Sequence, residues 1–352
     1  MIYKKLNNRQ EIILAKIELN KTYAIGDIFL FFPDKDVPSS ATLRRDLKEL
    51  STLGFLKQIG KLKNTQYEIT IQGIIYNPIN AHDYCEIDLE KRNGNTNYNF
   101  SLFENLPENI FSKGEIIKLD TATKLFKDKS QNVSDVIQKK ELERFVIELS
   151  WKSSKIEGNT YTLLDTELLL KKGIKAVGHT ESEVTMILNH KKAFQYILSS
   201  KEKYRKPNIR LIEDIHRLLT EGLGVSFGLR AKPVGVTGSV YVPLSIPTKI
   251  NEALSDLCNA IDKLETPYEK ALLALLGISY IQPFEDGNKR TARLFANAIL
   301  LAYNSVPLSY RNVDEINFKE SILVFYEKNS IIPMQKIFTD QYIFACENYL
   351  QF

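Results

Sequence analysis

The strongest constraint on the fold is a helical spacing of apolar residues that recurs through most of the 352-residue chain. Six segments after residue 100 repeat apolar side chains every three or four positions, which is typical of helices that bury one face. Only residues 230–243 place β-branched residues around turn glycines and predict a short hairpin. The sequence therefore predicts a mainly α-helical domain with one small β-hairpin. The six helical segments are residues 141–159, 181–198, 208–223, 246–264, 268–281 and 290–304.

The first 75 residues have a different organisation. Residues 9–19, 24–32 and 38–56 carry helical patterns, and the two alternating stretches that follow predict short strands around a KLKN tip. Three helices followed by a hairpin is the order of a winged helix-turn-helix domain. The polar, asparagine-rich residues 76–100 have the composition of a linker. We therefore divide the chain into a winged helix-turn-helix domain (1–75), a linker (76–100) and a helical domain (101–352).

The third predicted helix offers a basic face opposite its leucine stripe. Arginine can hydrogen-bond guanine edges, and lysine neutralises phosphates, so this face favours DNA as a partner. The stretch SSATLRRDLKELSTLGFL also resembles the recognition helix of bacterial winged-helix regulators. Asp46 and Glu49 on the same helix keep a merely solvated face open, and a winged helix can also dock another protein. The candidate DNA-contacting residues are Ser40, Thr42, Arg44, Arg45, Lys48 and Lys61.

Composition limits the remaining possibilities. The formal net charge of +4 is small, so a nucleic-acid partner would have to rely on a local cluster of charge. The three cysteines lie far apart, which favours reduced thiols and a cytoplasmic protein. The longest apolar stretch, residues 271–281, is too short to span a bilayer, and the first ten residues lack the apolar run of a signal peptide. We therefore expect no membrane partner, and a homodimer remains open.

The stretch 281-IQPFEDGNKRTAR-293 carries the clearest chemistry. Backbone N–H groups at a helix N-terminus bind anions, and three cations, Lys289, Arg290 and Arg293, crowd the first turn although they oppose the helix dipole. Asp286 just before them is an oxygen ligand suited to Mg²⁺ on phosphates. The stretch therefore predicts a site for a nucleoside triphosphate. The alternative is an exposed basic helix start after a surface turn.

This stretch resembles the core motif of the Fic family, H-x-F-x-[D/E]-G-N-G-R-x-x-R. The matching positions are Phe284, Asp286, Gly287, Asn288, Arg290 and Arg293. The resemblance implies a protein adenylyltransferase that moves AMP from ATP to a hydroxyl of a target protein. It also implies that Asp286 binds Mg²⁺, that Gly287 and Asn288 hold the α- and β-phosphates, and that the two arginines hold the β- and γ-phosphates.

Two further features follow from the same resemblance. Asn297, one turn after the motif, would lie near the nucleoside. Residues 236–242 match the flap of the family, in which Gly238, Val240 and Tyr241 would pair with the backbone of the target protein by strand addition.

A second match is to the inhibitory motif of the family, [S/T]-x-x-x-E-[G/N]. The stretch 153-SSKIEG-158 supplies Ser153, Glu157 and Gly158 at the end of a predicted helix over about 141–158. An acid at a helix C-terminus is disfavoured by the dipole, so a cationic partner would stabilise it. By resemblance this partner is Arg293, whose capture would keep it from the γ-phosphate and inhibit the enzyme.

Two positions depart from the Fic motif. Gln282 stands where the family has the histidine that acts as general base, and an amide cannot titrate. Losing a general base typically costs about 10²–10⁴ in rate, so we expect weak or lost transfer. Lys289 replaces a glycine, and the resulting GNKR resembles the Doc toxins, which transfer the γ-phosphate. The alternatives are therefore a DNA-binding regulator whose pseudoenzyme domain senses nucleotide, and a Doc-like kinase.

Overall fold

A computed structural model describes residues 6–131 and 133–350, except for the side chain of Lys63. Helices predominate in it, so the prediction of a mainly α-helical fold is confirmed. Residues 1–5 and 351–352, where the two predicted domains begin and end, lie outside the described residues. The first five helices, α1 to α5, are Asn8–Lys16, Ile25–Phe29, Ser40–Thr52, Ile71–Ile75 and Ala81–Cys85. The next ten, α6 to α15, are Lys113–Ser130, Asp135–Ile156, Leu163–Lys172, Glu181–Ser199, Ile209–Thr220, Pro247–Lys263, Pro267–Ile281, Asn288–Ala302, Glu315–Lys328 and Ile332–Asn348.

The N-terminal unit contains the strands of the described chain. Strands β1 (Tyr23–Ala24), β2 (Leu56–Ile59) and β3 (Gln66–Ile69) form an antiparallel sheet in the order β1-β3-β2. Helix α3 begins where predicted, because the side chain of Ser39 accepts a hydrogen bond from the N–H of Thr42. Its leucine stripe is fully buried. Three helices and a β2–β3 hairpin therefore appear in the predicted order.

The predicted linker is packed against the rest of the chain. Tyr98 is buried, and α5 packs on α14. The Asn77 side chain donates to the carbonyl of Leu14 at 3.0 Å, and the Ser330 hydroxyl donates to the carbonyl of Asn77 at 2.6 Å. Asparagine-rich composition predicts solvated chain, but here such side chains satisfy buried backbone groups. The segment 76–100 therefore connects the N-terminal unit and the helical region while contacting both.

Helices α12 and α13 form the centre of the helical region. Every residue of α12 after Pro267 is buried, and so is every residue of α13 except Lys289. A helix that is buried on all sides must be enclosed by other helices, as α10, α11, α14 and α15 do here. A capping box between Thr266 and Glu269 starts α12, and left-handed Gln282 ends it. The loop between the two central helices is thereby held at one end of the core.

The predicted hairpin over residues 230–243 does not form a sheet. It contains no strand, and several of its backbone groups bond to residues outside the segment. The N–H of Val242 donates to the carbonyl of Thr96 at 2.9 Å, while the N–H of Val240 donates to the carboxylate of Glu327 at 3.3 Å. The β-branched residues around Gly238 predicted a ladder because the sequence does not show these competing partners. Residues 230–243, which are called the flap from here on, form an irregular loop.

Gly73 and Gly26 provide a matched test of the packing in the N-terminal unit. A Cβ at Gly73 would lie 2.3 Å from the carbonyl oxygen of Phe55, whereas a Cβ at Gly26 meets nothing within 4 Å. Gly73→Ala should therefore lower the free energy of unfolding by about 1–3 kcal/mol, because backbone must move. Gly26→Ala should be neutral or stabilising by up to about 1 kcal/mol. Urea unfolding of both variants checks this, and equal effects would contradict the packing.

Candidate functional site

The loop from Gln282 to Asn288 is closed by its own side chains. The Asn288 carboxamide donates to the carbonyl of Phe284 and accepts from its N–H, both at 2.8 Å. Gly287 has a φ of 78°, and a Cβ there would lie 3.0 Å from Thr220. The loop therefore has little freedom. It presents the N-terminus of α13, where the first N–H groups lack intrahelical acceptors.

His216 supports this loop from below. Its ring stacks on Phe284 with centroids 3.7 Å apart. Burial lowers the pKa of His216 to about 4, so the ring is neutral at physiological pH. The Nε2–H therefore donates to the carbonyl of Asp286 at 3.0 Å. The contacts of His216 are therefore packing contacts that support the loop.

Arg290 and Asp286 lie together at the edge of the loop. Nη2 of Arg290 is 2.9 Å from Oδ2 of Asp286. The Arg290 side chain is 2% exposed whereas that of Asp286 is 67% exposed, so the carboxylate reaches solvent. Burial lowers the pKa of Arg290. Its Nη1 has no hydrogen-bond partner among residues 6–131 and 133–350, which leaves one buried donor available to a ligand.

Arg293 is fully buried and is held by the end of α7. Its Nη1 lies 2.7 Å from Oε1 of Glu157, its Nε donates to Oγ of Ser153 at 2.8 Å, and its Nη2 donates to the carbonyl of Ser153 at 2.7 Å. Burial opposes the charge of Glu157, but Arg293 and Lys289 outweigh it and hold the pKa of that carboxyl below its usual range. Gly158 follows at a φ of 96° and ends the helix. The structure thus brings Ser153, Glu157 and Arg293 together.

His190 is the member of this cluster that the sequence did not single out. Its Nε2 lies 2.7 Å from Oγ of Ser153. Complete burial, aided by Arg293 and Arg290, lowers the pKa of His190 well below its usual value. The neutral ring therefore accepts from the serine hydroxyl, which in turn leaves the serine oxygen free to accept from Arg293. Only its position on an otherwise apolar helix face could have indicated this role.

Two cavities meet at Glu157. One of about 190 Å³ lies between the loop and residues 234–237 of the flap, and one of about 340 Å³ lies beside Phe318 and Leu323. Glu157, Thr237 and Lys289 line both. Small-molecule sites typically measure about 300–1,000 Å³, so the first cavity alone is small for a nucleotide. Removing the Glu157 side chain would open one cavity to the other.

Gln282 has its amide turned into the protein. Its Nε2 donates to the carbonyl of Ser279 at 2.6 Å and to the hydroxyl of Tyr326 at 3.1 Å. The residue has a φ of 51°, which a non-glycine residue adopts only when its surroundings impose it. The carbonyl of Gln282 accepts from Nε of Arg230 at 2.6 Å. The position next to the cavity therefore carries an anchored amide without a titratable group.

Arg230 is a second residue that the sequence did not indicate. It is 2% exposed, and burial lowers its pKa. Besides Gln282, its guanidinium donates to the carbonyls of Lys232 and Leu244. Its backbone N–H donates to the carbonyl of Pro283 at 3.0 Å. Arg230 thus fastens both ends of the flap to the loop, and a single arginine in a polar stretch gives no such signal in sequence.

Two predicted positions have other roles. Asn297 is fully buried, and its amide pairs with both backbone groups of Leu308 at 2.7 and 2.9 Å, so it contacts no ligand space. Tyr241 is 1% exposed, with its ring stacked on Tyr280 and its hydroxyl donating to the Tyr280 carbonyl. The side chains of Asn297 and Tyr241, predicted near the nucleoside and at the target, are therefore engaged within the protein in this structure.

The other flap residues are partly engaged as well. The carbonyl of Gly238 accepts from Arg92 at 2.9 Å, and the N–H of Val240 donates to Glu327. Strand addition at these two positions, as predicted, would compete with existing hydrogen bonds. Residues 234–237 line the cavity instead and form its outer wall.

The site residues fit a magnesium-bound triphosphate. The phosphates of such a ligand would bind to the N–H groups at the start of α13, to Nη1 of Arg290, which has no partner within the described residues, and to the ammonium of Lys289. No cluster of three or more histidine, cysteine or acidic side chains that could enclose a metal occurs among the described residues. Mg²⁺ commonly needs only one or two carboxylates plus phosphates, and the exposed Asp286 supplies one.

The basic face of α3 lies on the surface of the N-terminal unit. Ser40, Arg44, Arg45 and Lys48 are exposed, as is Lys61 on the hairpin, and Thr42 is partly exposed. Asp46 is 1% exposed because it pairs with Arg9, whose Nε lies 2.7 Å from its Oδ2. Glu49 accepts from Gln10 at 2.9 Å. The two acids that weakened the DNA hypothesis therefore turn towards α1.

Comparison with known proteins identifies the class of fold. Residues 190–300 match the model of the Fic/DOC family. Fic-1 from C. elegans, residues 134–508, superimposes with a TM-score of 0.57 at 20% identity over 67% of this chain and 71% of that one. A Fic family protein from Desulfovibrio desulfuricans gives a TM-score of 0.56 at 18% identity, covering 69% and 75% of the two chains. The helical region therefore has the Fic fold.

Named proteins with similar sequences match part of the chain. The protein adenylyltransferase Fic of Nematostella vectensis is 31% identical over 175 residues, which cover 48% of this chain and 40% of that protein. The protein adenylyltransferase fic-1 of Caenorhabditis elegans is 29% identical over 160 residues, which cover 44% and 31%. The chain thus matches well under half the length of these relatives. Among the described residues, no helix combines the length and apolar character needed to cross a membrane.

The pair of Glu157 and Arg293 should make stability depend on pH. Because the pKa of Glu157 is lower in the folded chain than its ordinary 4.5, its charge stabilises the fold above that pH, and this contribution disappears as the pH falls through the folded value. Glu157→Gln should lower the free energy of unfolding at pH 7 by about 1–3 kcal/mol. The difference in the free energy of unfolding between Glu157→Gln and the unmodified protein should become smaller below pH 4.5.

Urea unfolding between pH 7 and pH 3 measures this gap. Glu108→Gln, at an exposed position, serves as the control and should show no comparable gap at pH 7. A gap for Glu157→Gln that stays constant down to pH 3 would contradict the charge pairing.

Proposed function

We propose that this protein is a Mg-ATP-dependent protein adenylyltransferase of the Fic type, which Glu157 holds in an inhibited state. The observation that carries the proposal is Arg293, a buried cation in the first turns of α13 whose three nitrogens are bound by Glu157 and Ser153. Such a cation beside a helix N-terminus is suited to a terminal phosphate. The similarity to proteins named adenylyltransferases supports this reading.

The chemistry would be displacement at the α-phosphorus of ATP. The N–H groups at the start of α13, with Gly287 allowing their close approach, would hold the phosphates. Arg290 and Lys289 would neutralise them, and Asp286 would hold Mg²⁺, which supplies charge stabilisation for the leaving pyrophosphate. A target hydroxyl would form the new P–O bond as the α,β-bridging P–O bond breaks. The hydroxyl proton must leave during this step.

With Gln282 at the position of the general base, removal of the hydroxyl proton would be slow. Its amide cannot accept a proton, and its nitrogen is committed to Ser279 and Tyr326. Glu285 is exposed at the cavity, but nothing orients it toward a hydroxyl. We therefore propose that nucleotide binding is retained while transfer is slow or lost. If transfer is lost completely, the domain senses nucleotide as a pseudoenzyme. A second alternative is that Lys289 favours transfer of the γ-phosphate, as in Doc proteins.

We further propose that residues 1–75 form a winged helix that binds DNA. The order of elements supports the domain, and the inward turn of Asp46 and Glu49 supports the partner. These acids contact Arg9 and Gln10 of α1, while Arg44, Arg45 and Lys48 of α3 are exposed. Cations on an exposed helix suit phosphates and guanine edges.

Intact-mass analysis after incubation with Mg-ATP tests the first proposal. Glu157→Gly frees Arg293, and a second variant adds Gln282→His. We expect AMP adducts on the double variant at about 10²–10⁴ times the rate of Glu157→Gly, because the general base is restored. Arg293→Ala in the double variant should abolish the adduct, and calorimetry should show Mg-ATP binding to Glu157→Gly.

The outcomes separate the alternatives. Nucleotide binding without any adduct on the double variant would overturn the transferase and leave the nucleotide sensor. A phosphate adduct in place of AMP would favour the kinase. Equal AMP transfer by both variants would show that another group acts as base.

DNA binding is tested by fluorescence anisotropy with a labelled duplex at several salt concentrations. The logarithm of the binding constant should fall linearly with the logarithm of salt, with a slope of about −0.9 per neutralised phosphate. Arg44→Ala and Arg45→Ala should each reduce the slope by about 1. Lys118→Ala, an exposed cation of the helical region, serves as the control. Binding that is unaffected by both arginine variants would exclude this face.

A further inference from the structure

A buried carboxylate, Glu327, connects three parts of the chain. Its side chain on α14 is 0% exposed. It accepts hydrogen bonds from the hydroxyl of Tyr84 at 2.7 Å, from Nη1 of Arg92 at 3.2 Å and from the hydroxyl of Ser239 at 2.8 Å. The N–H of Val240 adds a fourth contact at 3.3 Å. Glu327 therefore binds both the connecting segment 76–100 and the flap.

Arg92 reaches the same flap from the connecting segment. Its Nη1 donates to the carbonyl of Gly238 at 2.9 Å as well as to Glu327. Its Nη2 donates to the carbonyls of Cys85 and Ile87 at 2.9 and 3.1 Å. The guanidinium is 6% exposed. One arginine thus fixes the flap backbone, the carboxylate and its own segment.

The backbones on either side are in direct contact. The N–H of Asn95 donates to the carbonyl of Glu327 at 2.7 Å, and the N–H of Val242 donates to the carbonyl of Thr96 at 2.9 Å. A Cβ on Gly94 would lie 2.6 Å from Oε2 of Glu327 and 2.8 Å from the Val240 side chain. A side chain at residue 94 would therefore displace Glu327 or Val240.

Burying such an ion pair gains little stability over apolar residues of the same size, whereas removing one partner leaves a costly unpaired charge. The pair is therefore better explained by the geometry that it imposes. Arg230 fastens both ends of the flap, and residues 234–237 form the wall of the small cavity. Arg92 and Glu327 fasten its middle, at Gly238, Ser239 and Val240.

We propose that Arg92 and Glu327 are positioning residues that hold the flap against the candidate nucleotide cavity. The proposal rests on the proposed function for its catalytic consequence. Neither residue lines the cavity. Their loss should therefore affect the placement of the target hydroxyl more than the binding of ATP.

Hydrogen–deuterium exchange of the full chain tests the positioning directly. Arg92→Gln and Glu327→Gln should each speed exchange in peptides covering residues 234–242 by about tenfold or more. Because the pair acts as a unit, the exchange rate of the double variant should be close to that of either single variant. Arg311→Gln is the matched control. Arg311 also lies 3.2 Å from a buried glutamate, Glu148, but away from the flap, so exchange at 234–242 should not change.

A steric variant guards against loss of folding. Gly94→Ala keeps both charges and should also speed exchange at 234–242, because the methyl group displaces Val240 or Glu327. Flap exchange that rises only in proportion to global unfolding, or equally in Arg311→Gln, would overturn the proposal. So would unchanged exchange in all three flap variants.

Kinetics separate this proposal from the proposed function. In the Glu157→Gly, Gln282→His background, Arg92→Gln should change the KM for ATP less than twofold and reduce the kcat of AMP transfer to the protein's own hydroxyls, read by intact mass, at least tenfold. An equal loss for ATP binding would contradict a positioning role. If this background transfers nothing, the proposed function fails, while the exchange measurement still decides whether the pair positions the flap.

Discussion

The charge of Arg293 is the constraint on which the rest of the site depends. A guanidinium that is fully buried must have its donors satisfied, and here Ser153 and Glu157 at the end of α7 do so. This requirement fixes the end of α7 against α13. It also places Glu157 between two cavities and makes His190 accept from Ser153. A ligand that supplies phosphate oxygens could replace the carboxylate, so the inhibited arrangement and the binding arrangement would use the same donors.

The flap extends the same principle of buried charge to a second place. Arg230 holds both of its ends through carbonyl oxygens, and Arg92 with Glu327 holds its middle. A loop without strand pairing can still be well placed when buried cations take up its carbonyls. Glu157 and residues 234–237 of the flap line the same small cavity. Under the proposed function, the first arrangement would govern phosphate binding and the second the wall beside the target.

Local patterns were sufficient for many of the helices and for the N-terminal hairpin, but they did not single out α6, α8, α14 or α15. The apolar periodicity predicted α9 to α13 within a few residues, and the N-terminal helices and hairpin also appear as expected. The pairing of Glu157 with Arg293 was inferred from motif resemblance and is present. Patterns failed where tertiary contacts compete, as in the flap, or where an amide is used internally, as with Asn297 and Leu308.

By itself the sequence determined a mainly helical chain and the polar and basic residue types of the loop at 282–293, because these depend on residue type and short spacing. The tertiary structure alone decided that Asp46 turns inward, that Tyr241 is core, and that Arg92 meets Glu327 across 235 residues. Such contacts depend on which backbone and side-chain partners the fold brings within hydrogen-bond distance. No local pattern encodes them, since competing partners are equally available in the unfolded chain.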